Sequence, residues 1–154
     1  TMGMTIPLKQ KCPMTPGGMA GENKSPALSW KGGPADTKSF AVVLYDVQYD
    51  MLHWVLWDIP ANVSELPEGL MAGYELMMPA GAHQAAQMGG ESFKHSYYGP
   101  CSGGGVIPAG TYEYRLYALK TEKLALMESS TATQAQKAVE GAMLEMTKWS
   151  GKPM

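Results

Sequence analysis

The fold of this chain is indicated most clearly by one stretch, His53-Trp54-Val55-Leu56-Trp57-Asp58-Ile59-Pro60. It is dense in β-branched and aromatic residues, which predicts a strand, and its final proline cannot donate a hydrogen bond to a sheet. Side chains alternate along a strand, so we expect two faces: His53, Val55, Trp57 and Ile59 on one, and Trp54, Leu56 and Asp58 on the other. Both faces are largely apolar, which predicts a central strand buried between two layers.

Further elements are predicted on both sides of this stretch. Residues 40–45 and 112–119 have the same strand-forming composition, and in the second of them Tyr112 and Tyr114 fall on one face. Residues 131–134, Thr-Ala-Thr-Gln, have the sequence of a capping box. Apolar residues follow at helical spacing and predict a helix against the sheet: Ala135, Val139, Ala142, Met143 and Met146. Residues 13–23 and 77–90 are predicted to be loops.

Length and composition narrow the class of protein. A chain of 154 residues fits one domain with a sizeable core, so residues 1–154 are interpreted as a single domain. A hydrophobic fraction of 45% with 17% charged residues is typical of a folded protein. No apolar run approaches the roughly 20 residues that cross a bilayer. The net charge is -2 and the sequence has no basic patch interleaved with aromatic residues, so we expect no nucleic-acid partner.

Several blocks of the sequence occur in the order typical of one family. They are residues 22–30, 38–46, 53–60, 66–69, 97–101 and 116–119, and the Ser-Pro-x-Leu-x-Trp at 25–30 is among the more specific. In these blocks the chain resembles the phosphatidylethanolamine-binding proteins, especially the small bacterial Raf-kinase-inhibitor-like members. The resemblance implies a mainly β fold (β-rich α+β), with a central antiparallel sheet packed on a smaller sheet and a C-terminal helix.

The resemblance also implies a pocket for a small anion, such as phosphate or acetate, or for a phospholipid head group. The pocket would be built around His53 and Asp46, and its expected residues are Asp46, His53, Tyr97, Gly99, Pro100, Tyr112 and Tyr114. We expect Asp46 to hold His53 in one tautomer or to favour its charged form. Gly99 is expected to let a ligand approach the backbone, because it has no side chain.

Departures from the family pattern reduce the anion-binding chemistry. The second pocket histidine of the family is replaced by Tyr112, the neighbouring arginine by Glu113, and a proline pair by the Ser-Gly-Gly-Gly at 102–105. Arg115 is the only arginine, and bidentate recognition of phosphate usually relies on arginine. We therefore expect weak anion binding. The alternative is an inhibitor or signalling protein with a degenerate pocket, which regulates a protease or kinase through protein contacts.

Other kinds of chemistry have less support. Cys101 and His53 could form a nucleophile and base, but a disulfide would remove the thiol, and no Gly-x-Ser-x-Gly or Walker A sequence is present. We expect a binding protein rather than an enzyme, with no cofactor and no metal. His83 and His95 are interpreted as solvated loop residues that lack neighbouring zinc ligands. The 13 methionines are interpreted as core filling.

The two cysteines, Cys12 and Cys101, leave two alternatives open: a pair of buried thiols or one disulfide. Bacterial relatives carry cysteines at these positions, so the resemblance favours a disulfide that ties the N-terminal arm to the pocket loop. Disulfides persist in oxidising compartments, and we expect a periplasmic or secreted protein, with a cytoplasmic one as the alternative. The chain begins Thr1-Met2-Gly3, as a mature exported protein or a trimmed chain would.

Overall fold

Two sheets and one helix make up the regular structure in the computed structural model, which describes residues 3–13, 21–101 and 110–153. The strands are β1 (Gly3–Ile6), β2 (Leu28–Ser29), β3 (Ser39–Asp46), β4 (Met51–Pro60), β5 (Glu65–Leu66), β6 (Glu75–Met77), β7 (Ala80–Gln84), β8 (Tyr112–Leu119) and β9 (Met143–Pro153). A 3-10 turn, Leu8–Gln10, follows β1, and helix α1 (Ala132–Gly141) precedes β9. No helix in these described ranges is long and apolar enough to cross a membrane.

Seven of the strands form one large sheet in the order β1-β9-β8-β3-β4-β7-β6. Neighbouring strands are antiparallel except β1 and β9, which are parallel. Strands β2 and β5 form a separate, antiparallel small sheet. The structure confirms the predicted β-rich fold, with a central antiparallel sheet, a smaller sheet and a helix near the C-terminus.

Apolar side chains are buried on both faces of the large sheet. On the first face, Leu44, Trp54 and Tyr114 share a core with Leu66 of β5, and the half-buried Leu28 of β2 packs against it. On the second face, Val55 and Trp57 share a core with Ala135 and Val139 of α1. The predicted strand 53–60 is confirmed as a central one, because β4 lies between β3 and β7 with almost all its residues buried.

A β-bulge near the start of β4 determines where His53 points. Strand β3 pairs with Leu52 and with Trp54 but skips His53, which is the extra residue between them. His53 consequently contacts Tyr112, which belongs to the same core as Trp54. An extra residue reverses the alternation of faces, so the prediction that His53 shares a face with Val55 is wrong.

A second bulge lies near the end of β4. Strand β3 pairs with Leu56 and with Ile59, which leaves two residues of β4 opposite one residue of β3. Asp58 lies in this bulge and has a φ of 58°. Ile59 therefore packs in the core of Leu56, and its predicted grouping with Trp57 is wrong.

The predicted C-terminal helix is present but shorter than its apolar pattern indicates. Helix α1 ends at Gly141, and Met143 and Met146 lie in β9, where they are 44% and 38% exposed. Placing these methionines in the helix is wrong. The physical reason is that β9 pairs with β8 along its length and supplies hydrogen bonds that the backbone of β8 would otherwise lack. The interpretation of Met143 and Met146 as core filling is wrong too, as it is for other exposed methionines such as Met71 and Met77.

The loop predicted at 77–90 contains β7, so that prediction was wrong for residues 80–84. His83 is mostly buried: its Nδ1 lies 3.0 Å from Asp58 Oδ2 and its Nε2 lies 3.2 Å from Glu75 Oε1. Nδ1 of His95 donates to the carbonyl oxygen of Gln84 at 2.8 Å. His83 joins β7 to β4 and β6, and His95 binds the end of β7, which corrects their interpretation as solvated residues. Residues 14–20 of the loop predicted at 13–23, and the glycine run at 102–105, lie outside the described residues.

The capping box of α1 gives a direct test of the fold. Thr131 Oγ1 accepts a hydrogen bond from Gln134 N at 3.1 Å, and Gln134 Oε1 accepts one from Thr131 N at 2.9 Å. Thr131→Ala should lower the free energy of unfolding by about 1 kcal/mol in urea denaturation. The matched control is Thr133→Ala, which removes an exposed hydroxyl in the same turn and should cost almost nothing. Equal losses in the two variants would contradict the role of the cap.

Candidate functional site

Three strands of the large sheet bring the central residues of the candidate site together. Asp46 ends β3, and its pairing partner on β8 is Tyr112, at the start of that strand. His53 lies near the start of β4, beside β3, and its ring meets that of Tyr112 edge-on with 5.0 Å between centroids. Tyr112 is distant in sequence from Asp46 and His53. The three residues are neighbours because β3 ends, and β4 and β8 begin, at the same end of the sheet.

The ring of His53 is fixed by the segment 97–101. Tyr98 stacks on it with a centroid distance of 4.9 Å and an interplanar angle of 6°. Nδ1 of His53 lies 3.0 Å from the carbonyl oxygens of both Tyr98 and Gly99. A carbonyl oxygen only accepts hydrogen bonds, so Nδ1 carries the proton and donates it to this pair.

The other ring nitrogen of His53 is unpaired. Within the part of the chain that the structure describes, Nε2 is buried and has no hydrogen-bond partner. Burial lowers the pKa of His53, because it penalises the charged form; the hydrogen bonds to Tyr98 and Gly99 and the charge of Asp46 act in the opposite direction. A neutral imidazole with its proton on Nδ1 has a lone pair at Nε2, so the site presents a buried acceptor.

Asp46 has a more limited role than the sequence indicates. Its Oδ1 accepts hydrogen bonds from the backbone N–H groups of Gln48 at 3.0 Å and Tyr49 at 3.1 Å, and so stabilises the turn after β3. Its charge favours the protonated form of His53, one of the two roles predicted for it. The tautomer is fixed by the backbone of the 97–101 segment instead.

The hydroxyl of Tyr112 forms hydrogen bonds with the backbone of Cys101. It accepts a hydrogen bond from Cys101 N at 3.1 Å and donates one to Cys101 O at 3.2 Å. Burial raises the pKa of Tyr112 above its ordinary value, and the nearby carboxylate of Asp46 acts in the same direction. The tyrosine that replaces the family's histidine therefore contributes a neutral ring and a structural hydroxyl.

The N-terminal arm, residues 8–12, packs against the outer side of the 97–101 segment. A disulfide joins Cys12 to Cys101, which confirms the predicted bridge and excludes the alternative of two free thiols. Cys12 N donates to the carbonyl oxygen of Pro100 at 3.0 Å, and the hydroxyl of Tyr97 donates to the carbonyl oxygen of Gln10 at 2.8 Å. The arm therefore holds this segment covalently and through its backbone.

The lack of a side chain at Gly99 makes room for the arm. A Cβ at this position would overlap the carbonyl oxygen of Gln10 and lie 2.8 Å from the carbonyl carbon of Lys11. The N–H of Gly99 donates to Asn23 Oδ1 at 2.7 Å, and Asn23 Nδ2 donates to the carbonyl oxygen of Tyr97 at 3.1 Å. At Gly99, the space predicted for a ligand is occupied by the backbone of the N-terminal arm.

Two of the predicted pocket residues lie deeper in the core. The hydroxyls of Tyr97 and Tyr114 are 2.7 Å apart, and Tyr97 packs edge-on against Trp54. Tyr114 lines a cavity of about 270 Å³ with Gln10 and Trp149, and His53 is not part of its lining. The structure thus brings Asp46, Gly99 and Tyr112 to His53, while Pro100 contacts the arm through its carbonyl oxygen and Tyr97 and Tyr114 lie deeper in the core.

Tyr98 is the site residue that sequence reasoning missed. Besides stacking on His53, it carries a hydroxyl 3.4 Å from the sulfur of Cys101. Gly89 and Gly90 pack closely on its ring, since a Cβ on either glycine would lie within 3.0 Å of a ring carbon. That adjacent glycine pair was the available signal, but only the folded structure shows which aromatic ring it faces.

The single arginine does not serve the site. Arg115 donates from its Nε and Nη2 to Glu113 Oε1, at 2.9 and 2.7 Å, and its guanidinium lies 4.4 Å from the ring centre of Tyr45. Lys148 Nζ lies 2.7 Å from Glu113 Oε2. Although burial opposes ionisation, these hydrogen bonds lower the pKa of Glu113. Glu113 replaces an arginine of the family, and its negative charge is balanced by Arg115 and Lys148.

The sequence profile of the family described as Phosphatidylethanolamine-binding protein matches residues 1–153. The chain belongs to the phosphatidylethanolamine-binding protein family. It is 34% identical to the UPF0098 protein YbcL of Escherichia coli (strain K12) over 139 residues, which are 85% of this chain and 69% of that protein. A UPF0098 protein of Methanothermobacter thermautotrophicus is 35% identical over 134 residues, 85% of this chain and 83% of that protein.

Solved structures agree with this assignment. The crystal structure of E. coli YbcL, described as a new member of the mammalian PEBP family, matches with a TM-score of 0.72 and 27% identity over 86% of this chain and 81% of that chain. The phosphatidylethanolamine-binding protein homologue CT736 of Chlamydia trachomatis matches with a TM-score of 0.71 and 26% identity, over 97% and 89% of the two chains. The family and the fold inferred from the sequence blocks are both confirmed.

The contact between the arm and Gly99 predicts a large difference between two glycine substitutions. Gly99→Ala should lower the free energy of unfolding by about 1–3 kcal/mol, because the new methyl group displaces the arm. Gly32→Ala is the matched control, since nothing lies within 4 Å of a Cβ at that position. Urea denaturation of both variants measures the difference. A Gly99→Ala protein as stable as the control would contradict the packing described.

The disulfide gives a second prediction. Reduction should lower the free energy of unfolding by about 2–4 kcal/mol, because the bridge restricts a long loop of the unfolded chain. The measurement compares urea denaturation with and without a dithiol reductant. A Cys12→Ala, Cys101→Ala double variant should not respond to the reductant. Two reactive thiols in the unfolded, non-reduced protein would refute the bridge.

Proposed function

We propose that this protein is a non-enzymatic binding protein that takes a small anion, or the phosphate of a phospholipid head group, at the His53 site. The observation that carries the proposal is the buried, unpaired Nε2 of His53. A buried polar atom without a partner costs about 1–3 kcal/mol, and a ligand that pairs with it recovers that free energy. Tyr98 and Tyr112 pack on the ring and would form walls of the site, and Asp46 acts on His53 through its charge.

The charges around His53 favour weak binding. A protonated imidazole can donate from Nε2 to an anion, but Asp46 nearby repels the same anion. Arg115 is held by Glu113 and cannot form a bidentate pair with phosphate in this arrangement. Affinity for the anion would then depend on His53 and on hydrogen-bond donors of the residues next to it.

The disulfide supports two further parts of the proposal. Cys101 lies next to the site, but its sulfur is bonded to Cys12 and is not a free nucleophile. This favours binding over catalysis. A disulfide also favours an oxidising compartment, and we propose a periplasmic or secreted location on that ground.

A second candidate function is regulation of a protein partner, such as a protease or kinase. A cavity of about 650 Å³ lies on the side of Tyr98 that Gly90 contacts, and Leu70, Ala72 and Lys94 are among the residues that line it. Two large apolar side chains next to these lining residues are exposed: Met71 by 80% and Phe93 by 77%. Exposed apolar residues around a concave surface are typical of sites for protein contact.

Calorimetric titration with inorganic phosphate and phosphorylethanolamine, up to millimolar concentrations, distinguishes the two functions. Saturable binding that His53→Ala abolishes supports the anion site. The absence of heat from either ligand favours the protein partner.

The anion site predicts a defined pH dependence. Only protonated His53 donates from Nε2, and burial lowers its pKa below the ordinary value of about 6.5. Anion affinity should therefore fall as the pH rises through the pKa of His53, and binding should be strongest below the usual histidine range. Titrations between pH 5 and 8 measure it. An affinity independent of pH would contradict a role for His53.

Replacing Tyr112 by histidine should restore part of the family's anion site. One added charge-assisted hydrogen bond should strengthen binding of a phosphate monoester by about 1 kcal/mol, or roughly five-fold, at pH 6. Tyr112→Phe is the matched control, because it removes the hydroxyl without adding a charge, and it should not strengthen binding. Urea denaturation verifies that both variants fold. Unchanged or weaker binding in a folded Tyr112→His protein would mean that the site has another use.

A further inference from the structure

We infer that the His53 site selects anions that still carry an acidic O–H, such as the monoanion of a phosphate monoester, over anions of similar shape that have no proton. This inference rests on the proposed function and specifies its class of ligand. It follows from how the ring is held and from the atom that the ring presents to a ligand.

The position of the ring proton is determined by the backbone. Nδ1 of His53 faces two carbonyl oxygens, those of Tyr98 and Gly99, at 3.0 Å each. If the proton moved to Nε2, the lone pair of Nδ1 would face the lone pairs of the two carbonyl oxygens. This tautomer would therefore lose both hydrogen bonds. Flipping the ring is opposed by Tyr98 stacked on one side and by Tyr112 edge-on. Nε2 is therefore the nitrogen without a proton in the neutral form.

The surroundings of the ring favour the neutral form. The titratable groups that face His53 are Asp46 from β3, Tyr112 from β8 and Tyr98 from the 97–101 segment. Among them Asp46 supplies the charge that favours an imidazolium, and burial outweighs it. The free site thus offers a buried hydrogen-bond acceptor at Nε2.

A ligand with its own proton satisfies this acceptor directly. The O–H of a phosphate monoester monoanion donates to Nε2, and if the proton moves across, the O–H bond breaks and an N–H bond forms, giving a phosphate dianion beside an imidazolium. No proton is needed from solvent in either case. A fully ionised anion instead brings a lone pair against a lone pair, and it binds only after His53 has taken a proton from water.

Methyl phosphate and methyl sulfate form a matched pair of probes. The second ionisation of a phosphate monoester has a pKa of about 6, so at pH 6 about half of methyl phosphate is a monoanion with an O–H. Methyl sulfate is also a monoanion but has no O–H. Calorimetric titrations at pH 6, in two buffers of different ionisation enthalpy, give the affinity for each probe and the number of protons taken up.

The expected result is that methyl phosphate binds at least about ten-fold more tightly than methyl sulfate. Binding of methyl sulfate should take up close to one proton from solvent, and binding of methyl phosphate clearly less. His53→Gln provides the control, because an amide supplies a permanent N–H donor without titrating, and it should remove the preference for methyl phosphate.

The outcomes separate this inference from the proposed function. Equal affinities with equal proton uptake in the unmodified protein would overturn the inference and leave the anion site standing, whether or not His53→Gln folds. No heat from either probe would overturn the anion site, and the inference with it.

Discussion

The pair of hydrogen bonds from His53 Nδ1 to the carbonyl oxygens of Tyr98 and Gly99 links the sheet to the segment that covers it. These bonds fix the tautomer of His53, the stacking of Tyr98 and the direction in which Nε2 faces. They form only because a bulge in β4 turns His53 towards the face that carries Tyr112. The geometry of the candidate site therefore depends on the backbone at two places far apart in the sequence.

The carbonyl oxygens of the 97–101 segment can accept the hydrogen bonds of His53 only if the segment keeps its position. Three kinds of contact do this: the disulfide from Cys12, the hydrogen bonds of Asn23, and the packing of the arm on Gly99. Each of them comes from the first part of the chain. The N-terminal arm therefore supports the candidate site through the 97–101 segment.

The sequence was sufficient to predict the family, the β-rich architecture, the central position of β4 and the disulfide, because strand composition and the order of the blocks are local signals. It was not sufficient to place His53 and Ile59 on their faces, since a bulge is defined by the pairing of two strands. The same limit applies to Met143 and Met146, whose helical spacing is overridden by pairing with β8. At Gly99, the sequence showed a missing side chain but not that Gln10 fills the space.

The most direct test of this description is the protonation state of His53 in the ligand-free, oxidised protein at pH 7, measured by nitrogen-15 NMR of the imidazole ring. The geometry predicts a proton on Nδ1 and an unprotonated Nε2. A proton on Nε2 in the neutral ring, or an imidazolium at this pH, would contradict it.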